Sequence, residues 1–280
     1  MANNLNIWVK YISEQSIPVF NCSVQSVLKL SKDDQASNKL LADTILLDAC
    51  LTSRVLKIAN SPFYNRSQQK IFDLRRGILL IGFNKIYEIC LTLAIVDSLI
   101  DKTTHDHVAK LLSKSFHAAL QAQSIADHIG LKETHEIYIA ALLYEFGEIA
   151  FWSVSGPASG SITQSLNRPG LNPEKAQELL MGITFKQLTL GLTSEWHISQ
   201  LLKTVLLEDE TQNIRAKCVY DGYQLAELIQ LDKSDPKRMQ VMKTIGKDMA
   251  LSPKELQDLA TKNENYAKKI YQYYLKSHLK

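Results

Sequence analysis

Apolar residues recur at intervals of three and four along almost the whole chain, and no alternating run reaches the length of a strand. Helices are therefore predicted throughout, and the fold class is all-α. Asp48 can cap a helix carrying Leu51, Val55 and Ile58. Asn60-Ser61-Pro62 ends it, because the residue before a proline is biased away from helical angles. A longer helix starts near Lys85 and carries Ile86, Ile89, Leu93, Val96 and Ile100. The next runs from His107 to Ile129 on Val108, Leu111, Ser115, Ala118, Ala122 and Ile125, with Gly130 suited to a left-handed end. Glu136 to Trp152 is so apolar that it is predicted as one central helix.

The stretch Ser153 to Asn172 holds three glycines, two prolines and five serines, which marks a loop and the best internal boundary. Helical signals resume with Asn172-Pro173, a cap with proline at the first helical position, and with the capping box Thr184-Phe185-Lys186-Gln187. Asp235-Pro236 and Ser252-Pro253-Lys254-Glu255 open two final helices, the last running towards Lys280. Residues 1–210 are expected to form one domain, with an N-terminal helical part to about residue 103 and a helical bundle from about 104. Residues 211–280 then form a C-terminal helical extension packed on it.

Composition narrows the picture. A chain of 280 residues that is 45% hydrophobic buries a large core without metal or disulfides. The longest uncharged apolar run of the hydrophobic middle, Ile89 to Val96, is far short of a bilayer span, so no membrane helix is expected. The first ten residues lack the pattern of a secretory leader, which points to the cytoplasm. Cys22, Cys50, Cys90 and Cys218 are scattered without a paired motif and read as reduced, buried thiols. Net charge is only +3, from 32 basic and 29 acidic residues, too balanced to indicate a polyanionic partner.

Several ordered motifs then resemble a known family. Ile17-Pro18, the helix at Val24 to Leu30, Asp48-Ala49-Cys50-Leu51-Thr52 and Leu56-Lys57-Ile58-Ala59-Asn60-Ser61 resemble the opening of HDOD domains, the HD-related output domains of bacteria. Asp48-Ala49 departs from that family's Asp-Pro. Arg76 to Gly82 is similar to its "A-i-x-x-L-G", and Gly182 to Gly191 followed by Trp196 to its helix pair ending in "W-x-l-P". Ala140 to Glu148 resembles the "A-x-L-L-H-D-I-G-K" of catalytic HD hydrolases. The likeness covers roughly residues 15 to 210 and implies an HD-like multi-helix bundle with an N-terminal helical subdomain.

Catalytic HD proteins hold a divalent ion with a histidine, a His-Asp pair and a later aspartate, whose lone pairs converge on the ion and activate its water. In this chain the resemblance puts Lys114 at the first histidine, Tyr144 and Glu145 at the pair, and Asp221 where the final aspartate belongs. The extra histidines of the cyclic-dinucleotide phosphodiesterase branch fall near Phe185 and Asp209-Glu210, which are not histidines. An ammonium repels the ion it would replace. No metal, cofactor or catalytic residue is therefore expected, and Lys114 is expected to pair with Glu145 or Asp221. His105-Asp106-His107 contains a literal His-Asp pair, but it sits at a helix start where Thr104 or Asp106 serves as a cap. His117, one turn from Lys114, reads as a satisfied helix histidine.

Two features remain. The last helix interleaves Lys262, Lys268, Lys269, Lys276 and Lys280 with tyrosines, a pattern open to nucleic acid. Tyr266, Ile270, Tyr273 and Tyr274 nevertheless keep core spacing, so packing is the preferred reading. Asn60, Ser61, Tyr64 and Arg66 form a polar helix exit that can meet a ligand or partner, although Asn and Ser also suit a helix end before proline. The resulting expectation is a non-catalytic, bacterial, cytoplasmic regulatory module that binds a signalling protein or small ligand, as a single chain or homodimer, without membrane or nucleic acid. The alternatives are a divergent metal-dependent HD phosphohydrolase or cyclic-dinucleotide phosphodiesterase, and a nucleic-acid-binding regulator acting through the C-terminal helix.

Overall fold

In the computed structural model, residues 2–14, 26–27, 29–30, 37–66, 69–83, 85–86, 102–155, 166, 170–207, 213–228, 231–232 and 234–276 are described, and no strand occurs among them. The helices are α1 (Ala2–Glu14), α2 (Asn38–Ile45), α3 (Ala49–Ala59), α4 (Leu74–Ile81), α5 (Lys102–His128), α6 (Thr134–Leu142), α7 (Phe146–Ser155), α8 (Pro173–Met181), α9 (Phe185–Glu195), α10 (Gln200–Leu207), α11 (Ile214–Glu227), α12 (Pro236–Asp248) and α13 (Pro253–Lys276). They form two compact units, neither continuous in sequence. The first comprises Met1–Leu111, Glu145–Ile198 and Tyr274–Lys280, and the second Leu112–Tyr144 and Ser199–Tyr273.

Many helix starts are set by side chains satisfying backbone N–H groups that have no partner within the helix. Asp48 accepts from the Leu51 amide at 3.0 Å, Asn172 from Glu174 at 2.8 Å, and Asp235 from Lys237 at 2.8 Å. Thr184 and Gln187 make the reciprocal capping box, with bonds of 3.1 and 2.9 Å. Ser252 and Glu255 do the same at α13. Gly130 takes the left-handed conformation after α5.

In the first unit α9 packs against α1 and α7, and α3 against α4 and α7. Gly147 lets α7 reach α9: its amide donates to the Thr189 hydroxyl at 2.9 Å, and a Cβ there would collide with the Phe185 carbonyl oxygen and stand 2.5 Å from the Thr189 nitrogen. Trp8 anchors α1, its indole N–H donating to the Met181 carbonyl at 3.1 Å and its ring meeting Phe151. The second unit is built around α11, which packs on α6, α10 and α12. Gly222 brings α11 onto α5, where a Cβ would lie 2.7 Å from the Ala118 carbonyl oxygen. Arg238 and Glu264 form a buried ion pair at 2.6 Å, and Arg238 also donates to the carbonyls of Leu228 and Leu231.

Several predicted elements change. The helix expected from His107 already begins at Lys102, so Thr104 and Asp106 lie within it and do not cap it. The single helix expected from Glu136 to Trp152 is two, α6 and α7, separated by turns at Leu143-Tyr144-Glu145. Thr134–Ser155 is long and apolar enough to cross a membrane by length and composition, and 78% of its apolar window is buried within the fold. The packed face of α13 is Leu256, Ala260, Asn263, Glu264 and Ala267, whereas Tyr266 is 46% exposed and touches Phe116 only from the margin. The side chains of Ile270, Tyr273 and Tyr274 lie outside the described residues, as do Cys22, Cys90, Asp209, Glu210, most of the helix expected from Lys85 and most of the loop expected over Ser153 to Asn172.

Candidate functional site

The positions that the HD comparison singles out can be followed individually. In the second unit the Lys114 ammonium lies 4.9 Å from the centroid of the Tyr223 ring and 3.9 Å from a carboxylate oxygen of Glu227. The Tyr144 ring meets the same Tyr223 ring at 4.8 Å, against Ala118 and Ala226. Tyr144 and Lys114 thus approach one aromatic ring, a contact worth about 0.5–2 kcal/mol for the cation and useless to an ion, since an ammonium offers no lone pair. Asp221 is buried on α11 and faces Lys217 at 3.9 Å, while Lys217 also bonds Asp248 at 3.0 Å. Glu145 belongs to the other unit, in the turn before α7. Within the second unit Lys114 therefore approaches Glu227 and Tyr223. The Lys114 ammonium has no lone pair to offer a divalent ion, and among the described residues no three His, Cys, Asp or Glu side chains gather as a ligand set.

His117 is buried on α5. Its Nε2 receives the Gln121 amide N–H at 2.7 Å; Gln121 also donates to the Ala260 carbonyl and accepts from Asn263. Burial, then Lys268 and Arg238, push the His117 pKa down to about 4, so the ring is neutral. His107 packs edge-on to Trp152 at 4.8 Å, and burial followed by Lys110 lowers its pKa.

The first unit contains a cavity of about 510 Å³, lined by residues that include Ser13, Lys57, Asn60, Ser61, Asn65, Arg66, Lys70, Glu195, Trp196 and His197. Its frame is made by the residues that end α3. Asn60 uses its whole amide: Oδ1 accepts from the Ile71 N–H at 2.8 Å, and Nδ2 faces the carbonyls of Ile71 at 2.9 Å, Leu56 at 3.1 Å and His197 at 3.2 Å. The Ser61 hydroxyl donates to the Ile58 carbonyl at 2.7 Å. Asn60 and Ser61 therefore hold the rim in place, their side chains already committed to the backbone. Tyr64 stands outside the lining, edge-on to Phe63 at 4.9 Å.

The chemistry that faces the cavity belongs to other side chains. Lys57 lies 4.4 Å from the Trp196 ring centroid and donates to the Ser13 carbonyl at 3.2 Å, while the Trp196 N–H donates to the Ser13 hydroxyl at 3.0 Å. Burial, with Arg54 second, lowers the Lys57 pKa, and Glu195 opposes that shift. Lys70 approaches His197 Nδ1 at 3.5 Å, and His197 has a left-handed φ of 53°, rare for a residue with a side chain. Arg66 is exposed at the rim and, among the described residues, pairs with no carboxylate. The sequence marks Asn60, Ser61, Arg66 and Trp196, contains Lys57 within a motif without giving it a role, and leaves Lys70, Glu195 and His197 unremarked. No local pattern announces that the segment around 196 returns to the end of α3.

The HDOD domain family matches residues 17–211. No curated protein matches the chain. Among solved structures, the MmoQ response regulator of Methylococcus capsulatus str. Bath is similar with a TM-score of 0.72 and 18% identity, over 88% of this chain and 98% of that one. A virulence factor of Campylobacter jejuni subsp. jejuni is similar with a TM-score of 0.68 and 19% identity, over 95% and 96%. A protein of Shewanella amazonensis SB2B designated a candidate phosphohydrolase is similar with a TM-score of 0.51 and 14% identity, over 95% and 97%. At these identities the likeness is one of fold.

Proposed function

The chain belongs to the HDOD family, and from that premise we propose that it is a non-catalytic module of signal transduction, acting by binding a small ligand or a partner protein. One observation carries the reading: Lys114 and Tyr144, which the sequence resemblance aligns with the imidazoles of catalytic HD proteins, both meet the Tyr223 ring. Hydrolysis assisted by a metal needs lone pairs converging on the ion and an open position for water. A lysine in contact with a tyrosine ring supplies neither. The response-regulator relative is in keeping with a signalling role, and the phosphohydrolase designation of another relative names the rival.

The cavity at the end of α3 is the part of the molecule that would meet a ligand, and Asn60, Ser61 and Arg66 are its contribution from the helix exit. A bacterial cytoplasmic setting belongs to the same proposal, in keeping with the buried Cys50 and Cys218, which are thiols and not disulfides. The test is elemental analysis of the full-length protein after equilibration with manganese or iron, with calorimetric titration of each metal. The reading expects no stoichiometric binding. One ion per chain, lost on substitution of Asp221 or Glu145, would overturn it in favour of a divergent phosphohydrolase.

A further inference from the structure

Charge is distributed unevenly around the cavity of the first unit. Lys57 from α3, Arg66 from the following loop and Lys70 beyond it face a space whose lining contains a single carboxylate, Glu195. The lining therefore carries an excess of two positive charges within a concave site of about 510 Å³. Among the described residues the ion pairs involve neither Arg66 nor Lys70. Like charges held around a partly enclosed space repel one another, and a multiply charged anion relieves that repulsion while accepting charge-assisted hydrogen bonds. An arginine fork and ammonium groups are the donors that phosphate oxygens fit best.

The scaffold is built to keep these donors apart and fixed. Asn60 ties the end of α3 to Ile71 and to His197, which sets the distance between the Lys57 side and the Lys70 side of the cavity. The Trp196 ring, held by its bond to Ser13, gives Lys57 a rigid floor. The volume falls within the roughly 300–1,000 Å³ of sites for small molecules, and a concave site favours a compact ligand over an extended polymer.

We propose that this cavity binds a small phosphorylated anion, of about mononucleotide size or below, with Arg66, Lys70 and Lys57 as its phosphate donors and Asn60 as a positioning residue. The inference rests on the reading above in one respect only, that the domain works by binding. Isothermal titration of the full chain at low ionic strength with EDTA present, using inorganic pyrophosphate and adenosine monophosphate, tests it. At least one probe binds with one site per chain. Arg66→Glu and Lys70→Glu each weaken that binding by about tenfold or more, as loss of a charged hydrogen bond implies. Both residues are exposed, so the thermal midpoint of each variant stays at the wild-type value and confirms folding.

Absence of binding by both probes, or equal binding in the charge-reversed variants, overturns the proposal. So does a tetraglutamate peptide that binds more tightly than either probe and is lost in the same variants, because the occupant would then be an acidic protein segment. With EDTA present these outcomes do not depend on any metal chemistry. Metal-dependent turnover would overturn the non-catalytic reading and leave the anion site standing.

Discussion

The side-chain amide of Asn60 donates to the backbone carbonyl of His197, 137 positions away in sequence, at 3.2 Å. The same amide spans Leu56 and both backbone groups of Ile71, so its two hydrogens are shared among three carbonyls. One residue at a helix end thus fixes two distant segments around a cavity. Asn60→Ala is expected to lower the stability of unfolding by about 2–3 kcal/mol, since it leaves several polar groups without this partner. Asn60→Asp is expected to cost more, because it turns a carboxylate towards three carbonyl oxygens. Urea denaturation of both variants checks the order, and a wild-type midpoint for either would show that Asn60 is not the tie described.

Gly147 and Gly222 provide a second check on the packing. Each stands where a Cβ would press on the backbone of a facing helix, Phe185 and Thr189 in one case and Ala118 and Ala122 in the other. Backbone cannot yield as a side-chain tip does. Gly147→Ala and Gly222→Ala are each expected to destabilise by about 1–3 kcal/mol or more, despite the gain in helix propensity that alanine normally brings. Thermal denaturation reads the effect, and a stabilised variant would contradict the close approach.

His117 makes the stability depend on pH. Its folded pKa of about 4 lies below the ordinary 6.5, because burial, Lys268 and Arg238 all disfavour the charged ring. Above pH 6.5 both folded and unfolded states are neutral there and the contribution is complete. Between 6.5 and about 4 only the unfolded state takes up the proton, so stability falls with acidification by up to about 3 kcal/mol from this group. Denaturation curves across that window should show a shallower slope in His117→Gln than in the wild type. An equal slope would place the proton uptake elsewhere.

Much of this architecture is legible in the sequence where local chemistry decides it. Asp48, Asn172, Thr184 and Asp235 announce their helices because a cap is a contact over two or three residues. The break at Leu143-Tyr144-Glu145 is not legible, since no proline marks it and the apolar pattern runs through. Tyr266 fails as a core residue for the opposite reason: period alone cannot tell which of two adjacent faces the neighbouring helix covers, and Leu256, Ala260 and Ala267 take that face. The cavity is half legible. Asn60 and Ser61 stand out by type, but their polar groups are consumed by the backbone, and Glu195, Trp196 and His197 come to the lining from a segment whose return no spacing encodes.

Lys114 and Tyr144 share the Tyr223 ring, and the proposed non-catalytic role of that cluster is tested most directly by turnover. Wild type, Tyr144→His with Glu145→Asp, and the triple variant with Lys114→His are assayed with manganese or iron against cyclic dinucleotides and simple phosphodiesters. The double variant keeps the ammonium on the Tyr223 ring, and a new imidazole needs hydrogen-bonded orientation, since misplacement by about 1 Å costs on the order of 100-fold in rate. The account predicts background rates for the wild type and the double variant, and at most weak metal affinity for the triple one. Turnover well above background in the wild type or the double variant would contradict it.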